Sequence, residues 1–252
     1  MHNSTSLDSS YVIGQSKLHN FYSFAKKGFK DMTLICTKFD DDRIIIGADS
    51  CLNLNNGNKI SIQKVFYNEQ KSIIVAYAGD SSIIMNGKEI QINDLIGFHL
   101  NKNYASFSEL KESLINDIIL FLPGDKDALG QIIFAFVNND KQMKLKGYEI
   151  TRRAYTNISE TKTISLIDSD SFFFDKERLW SCGSIDRETV NNEYMKVKYN
   201  YPNSPTELLI AETINSFAQN KDYETIGGQK YLVSIDTTSN ITTYINGKEA
   251  EF

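Results

Sequence analysis

Residues 32–50, MTLICTKFDDDRIIIGADS, decide how this chain is read. Leu34-Ile35-Cys36-Thr37-Lys38-Phe39 reads as a short strand. Asp40-Asp41-Asp42 reads as a turn, because Asp side chains bond their own backbone and tolerate tight φ/ψ. Arg43-Ile44-Ile45-Ile46-Gly47-Ala48-Asp49 reads as the returning strand of a hairpin. Its apolar run is continuous rather than alternating, which predicts burial on both faces inside a layered fold. Asp49 then stands where the buried strand stops, and a carboxylate there needs partners to offset its burial. Farther on, Lys64-Val65-Phe66 leads into Ser72-Ile73-Ile74-Val75-Ala76-Tyr77-Ala78-Gly79, a second buried strand ending on glycine.

The composition bounds the function. The 252 residues are 41% hydrophobic and carry a net charge of −5, ample for a core and unfavourable for nucleic acid or an anionic membrane. Cys36, Cys51 and Cys182 show no metal-ligand spacing, and His2, His19 and His99 are scattered. No metal and no cofactor are expected. No apolar run approaches the ~18 residues of a membrane span, and no apolar signal segment opens the chain, so a cytoplasmic location is expected.

Outward from the hairpin, Lys88–Ile92 alternates like a strand after the Asn86-Gly87 turn signal, which suggests an inserted hairpin. A helix is expected from Asn93. Ser106 and Glu109 have capping-box spacing ahead of Leu110, Leu114, Ile118 and Phe121, predicting a helix over 107–122 that Pro123-Gly124 stops. Gln131–Asn138 and Met143–Ile150 read as paired strands, and 151–178 as short strands and loops with an aromatic run at Phe172–Phe174 expected in a core or an interface. A helix is expected over Asp186–Val197. Another starts after Ser204, read as its N-cap with Pro205 in the first helical position. Tyr231–Ile235 and Ile241–Ile245 close the chain as strands.

A threonine heading a strand, then Gly-Ala-Asp, then Lys64-Val65, then an apolar strand ending in Ala-Gly resembles the proteasome β-subunit family, which includes the HslV-type peptidase of a bacterial two-component protease. The likeness is best over roughly 32–80. It implies an α+β fold, a four-layer αββα sandwich of two mainly antiparallel sheets between helical layers, spanning 32–252. Residues 1–31 are then an extension, a propeptide, or sequence upstream of a true start at Met32. The resemblance also implies roles for Thr33, Asp49, Lys64, Gly79 and Ser184. The Thr33 hydroxyl would be the nucleophile and its free α-amine the general base, since that amine titrates near ~8. Lys64 would tune the amine, Asp49 would anchor Lys64, and Gly79 would donate to the oxyanion. The supporting serine would be Ser181 or Ser184.

Two registers are open. Thr33 stands sixteen residues before Asp49, whereas Lys38-Phe39 and Lys64 fit better with Met32 in the nucleophile position, which would leave no hydroxyl. Initiation at Met32 with methionine removal would expose Thr33. Near the end of the chain, Gly227-Gly228 fits the family pattern, but Ile226 stands where a serine is expected and Asp222 is one residue too far. The implied protein is a threonine-type peptidase acting on polypeptides within a homo-oligomeric ring, with a possible ATP-dependent unfoldase as partner. The alternative is a catalytically silent subunit of the same architecture.

Overall fold

The computed structural model describes residues 33–53, 59–79, 82–85, 88–121, 128–155, 158–223 and 225–250. The expected N-terminal extension, Met32, the Asn86-Gly87 turn and the Pro123-Gly124 stop lie outside these residues.

The leading hairpin forms as read. Strands β1 (Leu34–Phe39) and β2 (Arg43–Asp49) pair antiparallel in one unbroken register, from Ile35 opposite Ala48 to Phe39 opposite Ile44. The strands that follow are β3 (Cys51–Asn53), β4 (Lys59–Ser61), β5 (Val65–Asn68), β6 (Ile73–Gly79), β7 (Ser82–Met85) and β8 (Lys88–Gln91). Helices α1 (Ile92–Asn101) and α2 (Phe107–Phe121) come next. Strands β9 (Ala128–Val137), β10 (Met143–Tyr155), β11 (Ile158–Asp168) and β12 (Trp180–Gly183) lead to helices α3 (Arg187–Asn200) and α4 (Thr206–Ala218). Strands β13 (Lys230–Asp236), β14 (Ile241–Ile245) and β15 (Lys248–Glu249) finish the chain.

Two antiparallel sheets carry the fold, one of six strands in the order β12-β1-β2-β13-β14-β15 and one of five in the order β11-β10-β9-β6-β5. With the helices they make an α+β architecture. The apolar runs of the hairpin explain how the layers meet. Leu34, Cys36 and Ile45 point into a cluster with Val190, Ile210 and Ile214 of α3 and α4. Ile35, Ile44, Ile46 and Ala48, on the opposite face, join Ile74, Ala76, Ile133 and Ala135 of the five-stranded sheet. The outer face of that sheet, with Val75, Tyr77 and Phe134, packs on Ile96, Leu114 and Ile118 of α1 and α2. Both sides of β1 and β2 are therefore buried, as their unbroken apolar pattern requires.

Four expectations need adjustment. The inserted hairpin exists as β7–β8, and α1 begins one residue earlier than read, at Ile92. Residues 151–168 are not short strands and loops: β10 and β11 form one long ribbon, paired from Lys146–Asp168 to Tyr155–Ile158. Its polar Thr, Arg, Lys and Glu residues carry no apolar alternation to announce a strand. The aromatic run divides, with Phe174 stacked on Trp180 at 5.4 Å while Phe172 and Phe173 are exposed. Finally, α4 starts at Thr206 with Pro205 in the cap position, so Ser204 is not the cap; the Glu207 carboxylate in its first turn pairs with Arg43 at 3.0 Å.

Candidate active site

The end of β1 that carries Thr33 is where polar groups collect. One residue beyond the Ile35–Ala48 pair, the Leu34 N–H donates to Asp49 Oδ1 at 3.0 Å. Thr33 is thus one peptide unit from a fully buried carboxylate. Lys64, just ahead of β5, reaches Asp49 with Nζ 3.1 Å from each carboxylate oxygen and donates to the Cys51 carbonyl at 2.7 Å. Asp49 Oδ2 also accepts from the N–H of Cys51 at 3.1 Å and of Gly227 at 3.4 Å. One carboxylate therefore ties together β1, β3, the Lys64 segment and the turn before β13. Burial pushes the Asp49 carboxyl above its ordinary range, and the Lys64 ammonium with the Leu34 and Cys51 amides pulls it back toward ionisation.

Thr33 is itself buried, and its carbonyl accepts from the Ser184 N–H at 3.2 Å. Gly183, at φ +121°, lets the chain pass so close that a Cβ there would lie 1.8 Å from the Thr33 oxygen. Of the two candidate supporting serines, Ser184 is at the Thr33 end. Ser181 is opposite Cys36, farther along the strand, and its buried hydroxyl has no hydrogen-bond partner among the described residues. The contact Ser184 makes with Thr33 is through its backbone amide.

Gly79 ends β6 opposite Gly130. A Cβ at Gly79 would lie 2.3 Å from the Tyr77 hydroxyl and 2.9 Å from the Gly130 Cα, so a side chain there would displace the Tyr77 ring or the neighbouring strand. No bond joins Gly79 to Thr33, Asp49 or Lys64 among the described residues. The described members of the sequence-derived set thus divide: Asp49 and Lys64 are paired, Thr33 is reached through Leu34 and Ser184, and Gly79 is separate. Asp222 lies exposed on a 3-10 turn, Lys221–Tyr223. Ile226, which replaces the expected serine, is buried in the cluster under α3 and α4, and it is the neighbouring Gly227 amide that meets Asp49.

Residues the sequence reading missed complete the surroundings. Gln131 on β9 accepts from the Gly183 N–H at 2.7 Å, and its amide donates to Glu149 on β10 at 3.2 Å. No sequence spacing links these positions. Cys182 is adjacent but chemically quiet, since burial pushes its thiol up to about 12. Among the described residues no group of three or more His, Cys, Asp or Glu could hold a metal ion. No helix there is long and apolar enough to cross a membrane.

No family model and no curated protein matches this sequence. Among solved structures, the fold is similar to the Anbu (Gly-1) mutant from Hyphomicrobium sp. strain MC1. The likeness covers 85% of this chain and 86% of that one, with a TM-score of 0.51 and 12% identity. It supports a proteasome-like fold and, at that identity, nothing about activity. Placing the chain in the proteasome β-subunit and HslV-type peptidase family is accordingly corrected: a few motif residues in order, with no family model behind them, do not establish membership, and what stands is a likeness of fold.

Proposed function

We propose that this chain hydrolyses amide bonds with Thr33 as an N-terminal nucleophile, as a threonine-type peptidase acting on polypeptides. The observation that carries this reading is the buried Asp49–Lys64 pair, fastened to the amide that follows Thr33. In this mechanism the hydroxyl attacks the scissile carbonyl and the α-amine takes its proton. The Lys64 ammonium, by like-charge repulsion, keeps that amine in its basic form near neutral pH. Asp49 holds Lys64 in place, and the Gly79 N–H is the proposed oxyanion donor. The three core clusters favour reading the layers as an αββα sandwich, and the proposal extends to a cytoplasmic ring of identical copies enclosing the sites.

A second reading, a silent subunit of the same fold, is favoured by one detail. The Lys64 ammonium spends its donors on Asp49 and the Cys51 carbonyl. The catalytic reading requires one of them to turn toward Thr33 when substrate is bound.

The test is hydrolysis of peptides and simple amides by the full chain and by a chain initiated at Met32, each with its N-terminus fixed by intact mass. The chain beginning at Thr33 is expected to turn over, and Thr33→Ala to lose at least about 10³-fold in rate, because removing a nucleophile removes the covalent route. A Thr33→Ala protein as active as its parent overturns the mechanism.

A further inference from the structure

We infer that Gln131, held by Glu149, is a positioning residue for Thr33, an inference that rests on the catalytic reading above. Gln131 continues the face of β9 that carries Ile133 and Ala135 into the apolar space between the sheets. By strand alternation Thr33 continues the face of β1 that carries Ile35 into the same space. Where that apolar cluster ends, Gln131 bridges the sheets, bonding Gly183 of the six-stranded sheet and Glu149 of its own. The amide orientation is fixed chemically. The Gly183 N–H can only donate, so the Gln131 oxygen faces it, and the NH₂ faces the Glu149 carboxylate, which accepts.

Gln131 is buried at 8% exposure, so water does not replace either bond readily. Beyond Gly183 the chain of contacts runs through one peptide unit to the Ser184 N–H and on to the Thr33 carbonyl. Gly183 ends β12 opposite Leu34 with no side chain to pack and a φ of +121°, so past this last ladder pair the chain needs a partner from outside β12. Gln131 supplies the fixed point. Among the described residues its side chain bonds Gly183 and Glu149 and not Thr33; it sets where Thr33, just ahead of β1, stands relative to Asp49 and Lys64.

The experiment compares three proteins: the parent, Gln131→Leu, and the exchange Gln131→Glu with Glu149→Gln. The exchange keeps an acceptor toward Gly183 and restores an amide-to-carboxylate bond between positions 131 and 149. Gln131→Leu is expected to lower kcat by roughly 10- to 100-fold, with KM within about twofold, and to speed exchange of the Ser184 amide by roughly tenfold. The amides of Ile44–Ile46 should keep their exchange rates. The paired exchange should recover most of both losses, as coupled neighbours do. An unchanged Ser184 amide in Gln131→Leu, faster exchange throughout β2, or a paired variant no better than Gln131→Leu each overturns the assignment. If no protein shows Thr33-dependent hydrolysis, the catalytic reading falls, and the Ser184 exchange rate still decides whether Gln131 fixes the turn.

Discussion

Two lysine ammonium groups are buried near opposite ends of β1, and they are held in different ways. At the Thr33 end, Lys64 faces Asp49, with side chains 4% and 0% exposed, and three backbone amides from separate segments also converge on the carboxylate. At the turn end, Lys38 is 6% exposed, but its acidic neighbour Asp40, 3.3 Å away, is 25% exposed. Lys38 otherwise bonds carbonyls, those of Phe39 and of Lys176. The first arrangement takes a full ion pair out of water, which is costly unless every remaining lone pair is met. The second fastens the loop before β12 to the hairpin and leaves its acid partly hydrated. A burial that serves only to stabilise rarely needs the first design, which is why the Asp49 end reads as a built site and the Lys38 end as a latch.

The contrast predicts unequal penalties. Lys64→Met strands the Asp49 carboxylate in the core, and a broken buried pair costs about 3–5 kcal/mol, read as a lower denaturant midpoint. Adding Asp49→Asn to Lys64→Met should recover part of that loss, since a neutral amide needs no counter-charge. Lys38→Met should cost less, about 1.5–3 kcal/mol, the net value of hydrogen bonds from a charged donor, and leave any hydrolysis within a few-fold of the parent. Equal costs at the two lysines would erase the distinction and with it the argument that the Asp49 end is specialised.

The two ends also differ in how far the sequence discloses them. The hairpin and the buried Asp49 are legible because an unbroken Ile-Ile-Ile run ending on a carboxylate is a local signal, whereas Lys64, fifteen residues on, is legible only through the family resemblance. The donors that complete Asp49 are less so. Gly227 is 178 residues away and contributes only its backbone, so the expected serine could be absent from its neighbourhood without emptying the contact. Gln131 is 52 residues from Gly183 and 18 from Glu149, and a lone Gln at the start of an apolar strand announces nothing. The β10–β11 ribbon hid for a different reason. Strand periodicity is visible only where one face is apolar, and this ribbon extends past the apolar layer into polar sequence.

The smallest expected effect comes from a third buried polar group, and it separates acid sensitivity from both lysines. His99 on α1 is 1% exposed, with Nδ1 against the Tyr104 hydroxyl at 2.5 Å and Nε2 against Asp117 of α2 at 2.9 Å. Burial lowers its pKa from 6.5, with Lys102 adding to that and Asp117 opposing it. The unfolded chain therefore binds this proton more readily than the folded one. The stability linked to His99 is complete above pH 6.5 and declines as pH falls from there through the lower, folded-state value. His99→Gln should flatten the stability profile over that window and leave the Lys64→Met and Lys38→Met penalties unchanged, because α1 and α2 pack on the far face of the five-stranded sheet. Denaturant midpoints measured from neutral pH down to about pH 5 would show it. A slope that survives His99→Gln, yet vanishes when Asp49 is replaced, would move the acid-sensitive element to the Thr33 end and make Asp49, whose carboxyl burial pushes up, the group that titrates.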